Sequence, residues 1–135
     1  MAIVMSLQTI GSFLLYFAVA LLAMAIFILL YMAVTSHHET ALIKQGNIAA
    51  AISFAGALLG FTLPLASAII NAVSLIDMLV WSAIAVVVQL CVFLVVDLLL
   101  RQVSRHIEEG NVAAGITLGA ASLAIGTVNA ASMTY

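Results

Sequence analysis

The first 38 residues contain no Asp, Glu, Lys or Arg, and from about Thr9 to about Val34 they form one nearly unbroken apolar run. About 20 such residues in helical form cross the hydrocarbon core of a bilayer. Three more runs follow, from about Ile48 to Asn71, from about Asp77 to Arg101 and from Asn111 to about Ser132. Each is far longer than the roughly 9–11 residues of a membrane barrel strand, and none alternates strictly, so the spans are helices. With 67% hydrophobic and 6% charged residues in 135 positions, the chain cannot keep a wetted surface. The expected fold is all-α: an integral membrane four-helix bundle forming a single domain over residues 1–135, with the lipid bilayer as solvent.

The segments between spans one and two and between spans three and four end alike. Gly46-Asn47-Ile48-Ala49-Ala50 recurs as Gly110-Asn111-Val112-Ala113-Ala114. The recurrence reads as two tandem, parallel two-helix repeats, one over about 9–71 and one over about 77–132. Gly46 and Gly110 stand where a helix ends in a residue that tolerates positive φ, and Asn47 and Asn111 are natural N-caps. Ser36 and Glu39 have capping-box spacing, which predicts a short interfacial helix up to Gln45. A second one is expected over Arg101 to Glu109. Ser74 and Asp77 make a similar pair after a tight turn, so spans two and three form a hairpin. Trp81 falls at the depth of an aromatic belt.

The three basic residues, Lys44, Arg101 and Arg105, lie in the inter-span segments. The positive-inside rule places those segments in the cytoplasm and both termini on the outer, periplasmic face. The first run has no basic n-region, so it reads as a mature span despite the cleavage-like Ala18-Val19-Ala20. Two repeats of the same orientation imply a pseudo-two-fold axis along the membrane normal, which disfavours a secondary transporter of the inverted-repeat type. No separate soluble domain is expected.

Glu39-Thr40-Ala41-Leu42-Ile43-Lys44, Gly46-Asn47-Ile48-Ala49-Ala50-Ala51-Ile52, Ser53-Phe54-Ala55-Gly56 and Leu63-Pro64-Leu65-Ala66-Ser67-Ala68-Ile69 resemble the YjfL-type family. The likeness continues through Asn111-Val112-Ala113-Ala114-Gly115 to the closing Asn129-Ala130-Ala131-Ser132-Met133-Thr134-Tyr135. It implies a small bacterial inner-membrane protein of four spans, built from two copies of a domain of unknown function. It brings no assigned activity and no catalytic residues.

Chemistry within the spans is sparse. Gln89 and Asp97 are the strongly polar groups well inside span three. A charged residue at the helix centre costs about 2.5–3.5 kcal/mol on insertion scales, so an intramembrane acid is a functional candidate by default. Asp97 lies four residues before Arg101 and reads as an ion pair with it or as an interfacial anchor near the cytoplasmic end. Gln89, roughly 80° around the helix from Asp97, reads as interhelical glue or as part of a pathway. In span two, Ala49, Ser53, Gly56, Gly60, Pro64, Ser67 and Asn71 step by three or four along one face. That stripe serves close packing or, with Ser53, Pro64, Ser67 and Asn71, a water-accessible lining. Pro64 removes an N–H and predicts a kink that frees carbonyls, with Thr62 and Ser67 near enough to re-satisfy them. Span four carries Gly115, Gly119, Ser122 and Gly126 on one stripe and Ala113, Thr117, Ala120 and Ala124 on another, which predicts an interior helix covered on two sides. Span one, rich in Leu, Ile, Phe and Met, is the expected lipid-facing wall.

His37, His38 and Glu39 are adjacent rather than spaced as zinc ligands, so no metal site is implied; a pH-sensitive contact is the functional alternative. Cys91 reads as a small buried hydrophobe, and one cysteine excludes an intrachain disulfide. Three basic residues give no basis for nucleic-acid binding. No catalytic triad, phosphate loop, zinc-protease motif or redox pair is present, so neither enzyme nor cofactor is expected. Two functional classes remain. One is a homo-oligomer around a path for an ion or small solute, with Gln89, Asp97, Ser53, Pro64, Ser67 and Asn71 as candidate lining. The other is a membrane scaffold that uses His37, His38, Glu39, Lys44, Arg101 and Arg105 to dock a cytoplasmic protein of envelope maintenance.

Overall fold

The computed structural model describes residues 1–133; Thr134 and Tyr135, the end of the closing motif, lie outside the described residues. Six helices follow in order: α1 (Ala2–Val34), α2 (Glu39–Lys44), α3 (Ile48–Asn71), α4 (Leu75–Leu100), α5 (Val103–Glu108) and α6 (Val112–Ser132). Four of them, α1, α3, α4 and α6, are long and apolar enough to cross a membrane. No strand occurs among the described residues.

α1 starts at Ala2, seven residues before the expected Thr9. The polar residues there are absorbed into the helix, with Ser6 Oγ donating to Ala2 O and Thr9 Oγ1 to Met5 O, each at 2.9 Å. A hydroxyl that bonds back to its own helix needs no water. At about 1.5 Å per residue, the 33 residues of α1 extend to roughly 50 Å, well past a hydrocarbon core of about 30 Å.

Both Gly-Asn segments form the same Schellman turn. Gly46 and Gly110 have φ of 81° and 80°. Asn47 N donates to Leu42 O and Asn111 N to His106 O, both at 2.9 Å, while Gly46 N and Gly110 N donate to Ile43 O and Ile107 O at 3.0 Å. Each Asn then caps the next span through Oδ1, accepting from Ala50 N at 2.9 Å or from Ala114 N at 3.2 Å. The hairpin between α3 and α4 is closed by Ser74 Oγ, which accepts from Asp77 N at 3.2 Å.

The Ser36–Glu39 capping box does not form. α2 has His38 at its N-cap without a side-chain bond, and Glu39 turns inward, to 1% exposure. Its Oε1 accepts from Thr35 Oγ1 at 2.6 Å, an acceptor use that removes it from the backbone it would have capped. Cys91 corrects a second expectation: it is exposed on the outer side of α4, where a small thiol meets lipid at no polar cost.

The core is the α3–α6 seam. Gly115 meets Ala49, Gly119 meets Ile52 and Ser53, Gly56 meets Gly119, and Gly60 meets Ser122 and Gly126. Residue numbers rise together on both sides, so the helices run parallel. At each of these glycines an added Cβ would overlap the opposite backbone, which is why the stripe is small. α4 packs on both α3 and α6, and α1 on α3 and α4. α1 contributes few buried residues, Ala20, Phe27 and Tyr31. Phe27 stacks on Phe61 at 4.4 Å between centroids, and Tyr31 sets its edge to Phe93 at 5.9 Å. Tyr16, Val19, Ala23, Met24 and Ile28 pack partly against this core, and most of the rest of α1 faces outward.

Candidate functional site

Pro64 sits inside α3 without interrupting it. Lacking an N–H, it leaves the carbonyl four residues back, Gly60 O, without its helical donor. Gly60 also lacks a side chain, so that oxygen is open to the neighbouring helices. Gln89, fully buried on α4, fills the vacancy: Nε2 donates to Gly60 O at 3.0 Å and to Ser122 O on α6 at 3.1 Å. One amide thus ties three spans together at mid-membrane. Thr62 and Ser67, the expected substitutes, are engaged elsewhere, Thr62 Oγ1 with Leu58 O at 2.7 Å and Ser67 Oγ with Ala130 O at 2.8 Å. Around the node Gln89 Oε1, Ser122 Oγ and Ser82 Oγ are buried without hydrogen-bond partners.

This geometry redistributes the candidate lining. Ser53 and Pro64 are buried in the seam, and Ser53 Oγ donates back to Ala50 O at 3.0 Å. Ser67 and Asn71 are half-buried at the far end, with Asn71 Nδ2 donating to Ser67 O at 2.9 Å. Of these side chains, Ser67 bonds across to α6, while Ser53 and Asn71 bond within α3 itself.

Asp97 does not pair with Arg101. Its Oδ1 accepts from Val103 N at 3.0 Å and anchors the start of α5. Arg101 and Gln102 take φ of 50° and 58° at the α4–α5 junction, and Arg101 is exposed whereas Asp97 is half-buried. The ion pairs among the described residues are Arg105–Glu109, exposed, and His37–Glu39, buried. Burial also removes His37 and Glu39 from the expected docking surface, leaving His38, Lys44, Arg101 and Arg105 on it.

α6 departs from its expected interior place. Its Gly115, Gly119, Ser122 and Gly126 stripe is covered by α3, but Ala113, Thr117, Ala120 and Ala124 are exposed. α1 packs against α3 and α4 through its aromatic residues and leaves this second stripe bare. A shallow cleft of about 250 Å³ opens there between Leu100, His106, Ala113 and Thr117.

Sequence reasoning missed the connection between the first Gly-Asn turn and α5. Asn47 Nδ2 reaches Ile107 O at 2.8 Å, joining the first Gly-Asn turn to α5. The recurrence of Gly-Asn was the available signal, since two such turns at the same membrane depth are placed to meet.

Four apolar spans with two short helices at one end define a small polytopic α-helical membrane protein whose polar interior serves helix packing. The chain belongs to the family described as Domain of Unknown Function (DUF350), which matches residues 5–133. It is 44% identical over 129 residues to the UPF0719 inner membrane protein YjfL of Escherichia coli (strain K12), covering 96% of this chain and 98% of the relative. The protein of the same name from Escherichia coli O157:H7 matches equally. It is accordingly a multi-pass inner-membrane protein. No solved structure matches the chain.

Proposed function

We propose that the protein is a subunit of a homo-oligomeric inner-membrane assembly that gives passage to an ion or small solute, with α6 turned toward the axis between copies. The observation that carries this reading is the bare face of α6. α6 is the least apolar of the four spans, yet its Ala113, Thr117, Ala120 and Ala124 stripe is uncovered. Small side chains gain little from lipid and let backbones approach closely, so such a face favours another helix or water over acyl chains. The interior of a single chain is sealed by the α3–α6 seam, so the path runs between copies. Lys44, Arg101 and Arg105 support an orientation with α2 and α5 in the cytoplasm and both termini outside.

Thr117→Cys in a Cys91→Ser background tests the arrangement by oxidative cross-linking in native membranes. Dimers are expected from Thr117→Cys and none from Leu29→Cys on the outward face of α1, where Leu29 is 68% exposed. Flux through liposomes holding the assembly is expected to fall with Thr117→Trp. A monomeric mass with its lipids, or cross-linking equal at both positions, refutes the reading. The scaffold reading finds support in the α4–α5 junction, where two residues at positive φ present Arg101 outward without an ion pair. Capture of a peripheral protein that is lost on reversing Lys44, Arg101 and Arg105 would favour it.

A further inference from the structure

Where α1 gives way to α2, a titratable pair is enclosed that no helix packing requires. His37 and Glu39 are each 1% exposed. Nδ1 of His37 lies 2.9 Å from Ser104 Oγ on α5, and Nε2 lies 3.2 Å from Glu39 Oε1. The second contact lacks the alignment of a hydrogen bond, and Glu39 Oε2 and Tyr31 OH beside it are buried without partners. Phe93 of α4 closes the far side, its ring 6.4 Å from the imidazole. A cleft of about 370 Å³, lined by His37, His38, Glu39, Thr40 and Lys44, reaches the pair from outside.

A buried carboxylate needs a compensating charge, because desolvation otherwise costs on the order of several kcal/mol per ion. No Lys or Arg among the described residues comes within ion-pair distance of Glu39. The sole group placed to neutralise it is His37, and only when that ring carries a proton. A bare ring nitrogen and a carboxylate oxygen at 3.2 Å repel each other unless a proton lies between them.

We propose that His37 and Glu39, enclosed with Ser104, are a proton-binding site that couples pH at this end of the bundle to the contact between the α1–α2 junction and α5. In the neutral ring with hydrogen on Nε2, that N–H faces Glu39 and Nδ1 accepts from the Ser104 hydroxyl. An entering proton ends on Nδ1. Nδ1 then donates to Ser104 Oγ, and the Ser104 hydrogen rotates off the ring. The pair passes from net negative to neutral, and the bond that holds α5 reverses its sense. Charges facing the ring act in opposite directions. Burial pushes its pKa down, the Glu39 and Glu108 carboxylates push it up, and His38 pushes it down, leaving it below the ordinary value for His. Because the folded chain holds this proton less tightly than an unfolded one, the site stabilises the fold above the ordinary His range and that contribution is lost as pH falls. The inference does not depend on how copies assemble.

Nitrogen-15 NMR of the three histidines, in full-length protein in lipid nanodiscs, reads the titration directly, with His38→Asn and His106→Asn for assignment. His37 is expected to be neutral at pH 7 and to titrate below about 6.5. In Glu39→Gln its midpoint should fall further, by about one unit, a tenfold loss of proton affinity. Hydrogen exchange in Val103–Glu108, corrected for intrinsic rates, should quicken below the midpoint in the parent and lose that pH dependence in Ser104→Ala. If Glu39→Gln does not fold, Ser104→Ala carries the test, since losing the hydroxyl should shift the balance between the two neutral tautomers of His37. A His37 midpoint unchanged in Glu39→Gln, tautomers unchanged in Ser104→Ala, or exchange indifferent to pH overturns the proposal. A midpoint that moves with sodium or potassium at constant ionic strength overturns it too, by giving the carboxylate to a metal cation.

Discussion

In Gln89→Leu the side chain keeps nearly its volume while the amide bonded to Gly60 O and Ser122 O at 3.0 and 3.1 Å is lost. The two acceptors do not suffer equally. Ser122 O retains its own helical donor from the residue four places on, whereas Gly60 O has none, because that place is Pro64. An unsatisfied buried carbonyl costs about 1–3 kcal/mol, but interhelical bonds inside membranes average about 0.6 and reach about 1.7. Removing Gln89 Oε1, itself buried without a partner, returns part of the loss. The net destabilisation should be about 1 kcal/mol. Pro64→Ala restores an N–H at the place where Gly60 O needs one, so Gln89→Leu should cost much less in that background. The measurement is a double-mutant cycle of Pro64→Ala and Gln89→Leu, read by steric-trapping unfolding in bicelles, with an expected coupling of about 0.5–1 kcal/mol. Additivity within about 0.3 kcal/mol would show that the two residues do not share Gly60 O, and the account of the node would fail.

Three other substitutions follow from the same geometry. Gly115→Ala places a Cβ about 2.5 Å from Ala49 O and should destabilise the seam by about 1–3 kcal/mol, while Gly11→Ala, with nothing within 4 Å, should be neutral or slightly stabilising in the same unfolding assay. Asn47→Ala loses both the cap on Ala50 N and the bond to Ile107 O, so it should cost about 1 kcal/mol more than Asn111→Ala, which loses a cap alone. Asp97→Asn keeps an oxygen for Val103 N and should leave α5 protected from hydrogen exchange, whereas Asp97→Leu should expose it.

The apolar runs and the Gly-Asn turns were legible because they depend on local rules: the length needed to cross a bilayer, the φ that glycine tolerates, the amide that asparagine offers. The small stripe of α3 was also legible, since a face recurring every three or four residues must meet something close. What met it was not. That Gly115 rather than Ala113 faces Ala49 depends on the rotation of α6, which no residue of α6 fixes by itself. Glu39 was misread for a related reason. Its spacing from Ser36 suits a cap, but Thr35 and His37 offer it a better place inside, and that competition is invisible until α5 brings Ser104 alongside.

Polar groups in this bundle thus divide by what they lack. Gln89 answers a donor missing from Pro64, and Asp97 answers a free amide at Val103, so each completes a backbone and is accounted for by folding alone. Asn47 and Asn111 do the same at the Gly-Asn turns. Glu39 answers nothing: it brings a charge inward that no Lys or Arg neutralises, beside a ring that does so only when protonated. Because the pair is not there for stability, Glu39→Gln should stabilise the chain at neutral pH, since it removes a buried charge and keeps the acceptor for Thr35. The expected result is that the fold gains about 1 kcal/mol or more in unfolding measurements at pH 7 while the response of α5 to pH moves about one unit lower with the His37 midpoint. A variant that instead loses stability at neutral pH, with α5 responding at the parent's midpoint, would place Glu39 among the structural polar groups with Gln89 and Asp97.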